Sequence, residues 1–135
     1  MKALLNYCSK NAKTIHNGRR LMTGINCVAQ SAYNEMMNTK LRFKKADGRL
    51  YYHLLQSFHP DEKLTPETAH EIALRFAEEN FKGYEVLVAT HVDRNHIQDE
   101  FCQGYFLPKL YFYFRLQRTK PPTDQLIYQR FCVVH

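Results

Sequence analysis

The sequence predicts an α+β domain in which helices and short strands share one hydrophobic core. Three observations predict it. Apolar side chains recur at helical spacing in two segments, and two other segments are short, apolar and bounded by turn-forming residues. The chain also has 135 residues, of which 44% are hydrophobic, and this is enough to bury a core of ordinary size.

The first part of the chain is predicted to hold two helices. Leu4 and Leu5 fall on one side of a short helix, and Asn17-Gly18 is a turn signal further along. Between residues 28 and 43 apolar side chains recur every three or four positions, which indicates a second helix. This helix is expected to end in a turn over residues 44–48.

A strand, a helix and a second strand are predicted next. Residues 50–58 are typical of a strand. A helix begins at Thr65-Pro66-Glu67, because threonine caps the backbone, proline suits the first helical position and glutamate suits the positive end of the dipole. Residues 84–90 are rich in Val and Leu, which favours a second strand. A helix between two strands often connects parallel strands, but an antiparallel arrangement is also open.

Composition argues against several classes of protein. No apolar run approaches the ~20 residues that span a bilayer, and the N-terminus turns polar too soon for a signal peptide, so we expect a cytoplasmic protein. Four cysteines form no CxxC pair, which argues against a zinc knuckle or a redox motif. They are expected to be reduced. These cysteines are Cys8, Cys27, Cys102 and Cys132.

Positive charge is concentrated in the first half of the chain. Residues 1–63 contain eleven Lys and Arg against four Asp and Glu, whereas residues 64–135 contain eight against nine. A phosphate-bearing partner would explain this asymmetry, because Lys and Arg that neutralise phosphates release counterions. A solvated basic face that keeps the protein soluble is the alternative.

The sharpest local pattern is a pair of histidines around an aspartate, just past the second predicted strand. His91, Asp93 and His96 form an HxDxxH pattern. Imidazoles bind Mn, Zn, Fe or Ni, and a carboxylate can orient a histidine that binds metal. Alone, the pattern is weak evidence for a metal site, since ordinary loop histidines at the end of a strand have the same appearance.

Blocks of sequence from about Leu4 to Ile97 follow an order that is far more specific than any one block. They are Leu5-Asn6-Tyr7, Lys13-Thr14, Gly24-Ile25-Asn26-Cys27, residues 52–58, residues 60–67 and residues 89–97. Together they resemble the MobA/VirD-type relaxases, the mobilisation nucleases of plasmids and integrative elements.

This resemblance implies a tyrosine nucleophile and a metal ion. In the family, a tyrosine of the first block attacks a DNA phosphodiester and stays linked to the 5′ phosphate until the strand is rejoined. Tyr7 occupies that position. Since a phenol is a weak nucleophile unless its deprotonation is assisted, a divalent ion, Mg or Mn in this family, is expected to help. His91 and His96 match two of its ligands, and Asp93 matches the supporting carboxylate.

The resemblance also implies the partners and the fold. Single-stranded DNA at an origin of transfer is the expected substrate, with accessory mobilisation proteins as further partners and no membrane. The expected fold is an antiparallel-dominated sheet with helices packed on one face, an incomplete form of the palm of a relaxase. The basic first half is expected to hold the DNA. The residues expected to do so are Lys10, Lys13, Arg19, Arg20, Lys44 and Lys45.

The chain departs from the family after Ile97. The motif should end His-hydrophobe-His, but Gln98 takes the last place, and an amide oxygen is a poorer ligand than an imidazole for such a site. An aromatic-rich tail replaces the expected strand, and residues 99–135 hold nine of the 18 Phe and Tyr. We therefore expect a relaxase-like domain over residues 1–97 and a divergent tail over residues 98–135, as a truncation or a frameshift after Ile97 would produce.

These departures leave three functional expectations. The leading one is a relaxase that nicks and rejoins DNA. The alternatives are a catalytically defective fragment that only binds single-stranded DNA, and a non-functional remnant. An incomplete sheet would leave unpaired strand edges, so low solubility is expected as well.

Overall fold

The computed structural model describes residues 1–44, 51–59, 61–93, 97–104 and 129–134. The described helices are α1 (Lys2–Cys8), α2 (Asn11–Thr14), α3 (Ala32–Arg42) and α4 (Pro66–Asn80), with a 3-10 turn (Ala29–Ser31) before α3. The described strands are β1 (Ile15–His16), β2 (Arg19–Arg20), β3 (Met22–Ile25), β4 (Tyr51–Phe58), β5 (Val86–His91), β6 (Gln98–Gly104) and β7 (Gln129–Val134). No helix within these ranges has the length and apolar composition needed to cross a membrane.

Five strands form one sheet in the order β3-β5-β6-β4-β7, and every neighbouring pair is antiparallel. Since β4 and β5 both run opposite to β6, they run in the same direction with β6 between them. Helix α4 connects these two strands, so it is a crossover between parallel strands that are not neighbours. The predicted α+β class with an antiparallel-dominated sheet is confirmed.

Helices cover both faces of the sheet, which corrects the expectation that they pack on one face. Val86 and Val88 of β5 pack against α4, whereas Leu87 and Ala89 pack with residues of α1 and α3. Alternate residues of a strand point to opposite faces, and every residue of β5 is buried. A strand that is apolar at nearly every position needs cover on both faces.

Helix α4 begins where the sequence predicts. Thr65 Oγ1 accepts a hydrogen bond from the backbone N–H of Thr68 at 3.2 Å, and Pro66 is the first helical residue. Three residues past the end of the helix, Gly83 has a φ of +80°, a conformation that glycine adopts without strain. The buried residues of the helix are Ala69, His70, Ile72, Ala73, Phe76 and Ala77.

Strands β1 and β2 form a separate hairpin around Asn17-Gly18, which confirms the predicted turn. The φ values of these two residues are 49° and 75°, and a two-residue hairpin loop favours positive φ at both positions. The hairpin exposes Arg19 and Arg20. It is joined to α4 by His16, whose Nδ1 lies 2.7 Å from Oε1 of Glu67.

Gly24 in β3 has no room for a side chain. A Cβ atom at this position would lie 2.2 Å from the backbone oxygen of Cys27 and 2.9 Å from the backbone nitrogen of Ala29. We therefore expect Gly24→Ala to lower the free energy of unfolding by about 1–3 kcal/mol, as overpacking does, when it is measured by urea denaturation.

The matched control for this substitution is Gly18→Ala. Nothing lies within 4 Å of a Cβ atom at Gly18, so only backbone strain at its φ of +75° opposes the alanine. That strain costs about 1 kcal/mol. Equal losses of stability in the two variants would show that the close approach at Gly24 is unimportant.

Residues beyond Ile97 enter the same sheet as the elements before it. Strand β6 pairs with both β5 and β4, and β7 pairs with the other edge of β4. The aromatic run over residues 110–114, which is typical of a buried strand, lies outside the described residues. The division into residues 1–97 and 98–135 stays a prediction.

Candidate active site

Tyr7 lies on α1, beside the end of β5. Leu5 and Cys8 of the same helix are buried and hold α1 on the sheet. The Tyr7 ring meets the ring of His91 edge-on, with centroids 5.8 Å apart and 73° between the ring planes. Because Tyr7 is also 37% exposed, its ring has a fixed protein neighbour and remains accessible from solvent.

Lys13 connects Tyr7 with Asp93. Its ammonium donates one hydrogen bond to Tyr7 Oη at 3.2 Å and another to Asp93 Oδ2 at 3.0 Å. The bond with Asp93 raises the pKa of Lys13, and the same bond lowers the pKa of Asp93. Both groups are therefore charged near neutral pH. Asp93, which was predicted to support a metal site, here holds a lysine beside the phenol oxygen.

Backbone hydrogen bonds fix the segment that carries Lys13 to the end of β5. The N–H of Val92 donates to the carbonyl oxygen of Lys13 at 2.8 Å. The N–H of Leu21 donates to the carbonyl oxygen of Thr14 at 2.7 Å, and the N–H of Thr90 donates to that of Leu21 at 3.0 Å. Two parts of the chain that are distant in sequence are thus held in register beside Tyr7.

His91 has the bonding pattern of a metal ligand. It is the last residue of β5 and is 1% exposed. Its Nε2 lies 3.2 Å from the backbone oxygen of Cys8. A carbonyl oxygen only accepts hydrogen bonds, so we assign a proton to Nε2. Metal-binding histidines usually donate their other ring N–H to such an acceptor, so the chemistry of His91 fits the predicted role.

The rest of the predicted metal site lies partly outside the described residues, and the metal site stays a prediction. His96 lies outside the described residues. Gln98 is the register partner of His91 across β5 and β6, so a histidine at position 98 would stand directly opposite His91. In the part of the chain that the structure describes, no three His, Cys, Asp or Glu side chains form a group that could hold a metal ion.

Besides Lys13, three of the predicted DNA-binding side chains lie near Tyr7 or on the neighbouring hairpin. The ammonium of Lys10 lies 5.9 Å from the centre of the Tyr7 ring. The guanidinium of Arg20 donates a hydrogen bond at 2.7 Å to the backbone oxygen of Ser9, two residues after Tyr7. Arg19 is exposed on the hairpin beside Arg20. A strand of DNA at Tyr7 would therefore meet positive charge.

The remaining predicted basic residues are not joined to this cluster. Lys44 is exposed just past α3, and within the described ranges no hydrogen bond or ion pair connects it to Tyr7. Lys45 lies outside the described residues. The predicted site residues that the structure brings together are Tyr7, Lys10, Lys13, His91 and Asp93.

A second polar cluster lies inside the protein, on the α4 side of the sheet. His70 of α4 bonds through Nε2 to Thr23 Oγ1 at 2.9 Å and through Nδ1 to Thr90 Oγ1 at 2.8 Å. Thr90 in turn donates to the buried carboxyl group of Asp99. Since Thr90 and His91 are successive residues of β5, this cluster and Tyr7 lie on opposite faces of the sheet. The sequence suggested no partner for His70.

A family model and several curated relatives match this chain. A family model described as relaxase, MobA/VirD2-like, nuclease domain, matches residues 7–98. The group II intron-interrupted relaxase LtrB of Lactococcus lactis subsp. cremoris is 47% identical over 66 residues, which are 44% of this chain and 12% of the relative. A protein named rlx from Staphylococcus aureus is 32% identical over 92 residues, which are 68% of this chain and 27% of the relative.

These relatives are much longer than the region they share with this chain. A further Staphylococcus aureus protein named rlx is 30% identical over 95 residues, or 70% of this chain and 26% of the relative. The chain thus spans roughly a tenth to a quarter of the length of the curated relatives it matches. No solved structure matches the chain.

Proposed function

Because this chain belongs to the family of MobA/VirD2-like relaxase nuclease domains, we propose that it nicks and rejoins single-stranded DNA at a plasmid origin of transfer. The proposed nucleophile is Tyr7. The observation that carries the proposal is the convergence of a half-exposed phenol, a lysine, an aspartate and a histidine from three separate segments of the chain.

The proposed reaction exchanges one phosphate ester for another. The oxygen of Tyr7 bonds to phosphorus while the bond from phosphorus to the 3′ oxygen of the preceding nucleotide breaks. The phenol proton leaves to solvent, and the departing oxygen takes up a proton to become a 3′ hydroxyl. The downstream strand stays on Tyr7 through its 5′ phosphate. Attack by a 3′ hydroxyl on this ester rejoins the strand and restores the tyrosine.

We also propose that a divalent ion, Mg²⁺ or Mn²⁺, takes part, with His91 and His96 as ligands. Support comes from the burial of His91 at the end of β5 and from its Nε2, which lies 3.2 Å from the carbonyl oxygen of Cys8, an acceptor of the kind that metal-binding histidines usually bond. When bound, such an ion polarises the scissile phosphate and stabilises its developing charge.

The exposed basic side chains are proposed to hold the DNA strand on either side of Tyr7. One of them, Lys10, lies between α1 and α2, and the other two, Arg19 and Arg20, form strand β2 of the hairpin that follows. Their charges would neutralise phosphates without reading sequence, so the choice of origin would need other parts of the protein or accessory mobilisation proteins. The reaction would take place where plasmid DNA lies, in the cytoplasm.

The direct test is to trap the DNA–protein ester. The chain is incubated with a pool of single-stranded oligonucleotides of random sequence, labelled at the 3′ end, with MnCl₂, with MgCl₂ or with a chelator. We expect a labelled species that survives denaturing electrophoresis and requires the metal. Tandem mass spectrometry should place the nucleotide mass on Tyr7. A mass on another residue rejects this nucleophile, and no adduct with either metal rejects the reaction.

A second candidate function is binding of single-stranded DNA without cleavage. Gln98 favours it, because the position opposite His91 in the strand pair carries an amide where the family pattern has a histidine. Strong salt dependence of DNA binding, with no adduct, would support this candidate.

Gln98→His is expected to raise the affinity for Mn²⁺ by about tenfold or more, or at least about 1.4 kcal/mol. The reason is that it places a second imidazole directly across the strand pair from His91. Isothermal titration calorimetry with MnCl₂ measures it. The control is Gln30→His, which adds a histidine at an exposed position of the 3-10 turn. An equal gain in both variants, or none at Gln98, would show that position 98 is not a ligand position.

A further inference from the structure

We propose that Lys13 is a positioning residue for Tyr7 and that Asp93 holds it in that place. The inference rests on the proposed function, because it concerns the tyrosine that would attack DNA. It gives Lys13 a task other than binding the DNA backbone, and it gives Asp93 a task other than supporting a metal ligand.

The first observation in support is that the ammonium group of Lys13 contacts the phenol oxygen of Tyr7. Lys13 Nζ lies 3.2 Å from the phenol oxygen, within hydrogen-bond distance, and 4.5 Å from the centre of the ring. Lys10 offers a comparison at the same ring, with its Nζ 5.9 Å from the ring centre. In the described part of the chain, Lys13 is the lysine that hydrogen-bonds the oxygen, whereas Lys10 meets the ring.

The second support is that Lys13 is held at both ends. Its side chain is 12% exposed, its carbonyl oxygen accepts from Val92 N–H at 2.8 Å, and its ammonium donates to Asp93 at 3.0 Å. Because Asp93 follows Val92 directly, one short segment at the end of β5 fixes both the backbone and the ammonium. A lysine so anchored can hold a second group, the phenol, in one orientation.

The contribution of this pair to the stability of the fold is expected to be small. A partly exposed Lys–Asp pair is typically worth about 0–1 kcal/mol. A group that holds the attacking atom in line with the scissile phosphate has a larger effect on rate, since misplacement of a reacting atom can cost about 10²-fold. As the bond from Tyr7 oxygen to phosphorus forms, the ammonium would keep the oxygen in line and remain beside the charge that passes to the phosphate.

The test separates the maximal rate of adduct formation from DNA binding. Single-turnover rates with the random single-stranded pool are measured across protein concentrations, in the parent chain and in a Gln98→His background. Lys13→Met is expected to lower the maximal rate about 10²-fold with little change in the half-saturating concentration. Lys10→Met is expected to raise the half-saturating concentration and to change the maximal rate little. Lys13→Arg, which keeps a charged donor, should recover part of the rate.

Asp93→Asn supplies a second measurement, because it loosens Lys13 without removing its charge. It should also lower the maximal rate, and thermal unfolding should stay close to that of the parent in all four variants. An unchanged maximal rate with weaker DNA binding in Lys13→Met would assign Lys13 to the DNA backbone and overturn the inference. If no adduct forms with the parent chain or with the Gln98→His background, the proposed function fails and the inference fails with it.

Discussion

Replacing Tyr7 with phenylalanine is expected to abolish the DNA adduct. The substitution removes the phenol oxygen and keeps the ring, so the edge-on contact with His91 is preserved. The attacking atom and the hydrogen-bond acceptor for Lys13 are lost. Removal of a nucleophile lowers kcat by up to about 10⁶-fold, so no labelled species should be detectable on a denaturing gel.

The matched control is Tyr33→Phe. Tyr33 also lies beside a lysine, with Lys2 Nζ 5.7 Å from its ring centre, and it packs on the cluster that holds α1. Its substitution removes the same oxygen from the same side of the sheet without touching the proposed nucleophile. The adduct should persist in Tyr33→Phe. A full yield of adduct in Tyr7→Phe would rule out Tyr7, and DNA binding that survives in Tyr7→Phe would separate binding from chemistry.

The parts of the site that lie in sequence blocks were predictable, and the contacts between the blocks were not. Tyr7, His91 and Asp93 were identified from blocks whose order resembles one family. The partner of Asp93 was not, because Lys13 lies 80 positions away and meets it only when α2 docks at the end of β5. Lys13 belongs to one of those blocks, but only its charge indicated a role, and the role that charge indicated was DNA binding.

Local signals in the sequence were reliable where backbone chemistry alone decides the structure. Thr65 caps α4 and Asn17-Gly18 forms the hairpin turn, as predicted. The number of helical layers depends instead on tertiary packing. A strand such as β5, buried at every position, is compatible with a second layer of helices, but the sequence does not say which helices form it.

The buried polar cluster of Thr23, His70, Thr90 and Asp99 could not be predicted from the sequence either, because it depends on tertiary packing. Its members come from β3, α4, β5 and β6, and the sequence around each residue does not indicate which residues it will contact. Gln56 of β4 is the register partner of Asp99. In the described residues, both polar side-chain atoms of Gln56 and one oxygen of Asp99 have no hydrogen-bond partner. This region is therefore expected to be sensitive to protonation.

Lowering the pH is expected to destabilise the fold through His70. Burial lowers the pKa of His70 from 6.5 to about 4, so between these values the unfolded chain binds a proton that the folded chain does not. Taken alone, His70 lowers the stability as the pH falls, by about 1.36 kcal/mol per pH unit and by about 3 kcal/mol across the whole window. Urea denaturation at several pH values in this range measures the loss.

His70→Gln isolates this effect, because an amide can hydrogen-bond Thr23 and Thr90 without titrating. The free energy of unfolding of the variant should fall less than that of the parent over the same window, by about 3 kcal/mol. His59→Gln is the control, since the side chain of His59 is 62% exposed, and it should leave the pH dependence unchanged. An identical pH dependence in the parent and in His70→Gln would show that another group senses acid.

The comparison between variants is necessary because Asp99 acts in the opposite sense. Burial raises the pKa of Asp99 well above its ordinary value of 3.8. The stability that Asp99 contributes is fully present below that ordinary value and is lost as the pH rises through its folded pKa. In the parent chain Asp99 therefore offsets part of the loss of stability that His70 causes as the pH falls. Since Asp99 is present in both chains, the difference between the parent and His70→Gln reports the titration of His70 together with its coupling to Asp99 through Thr90.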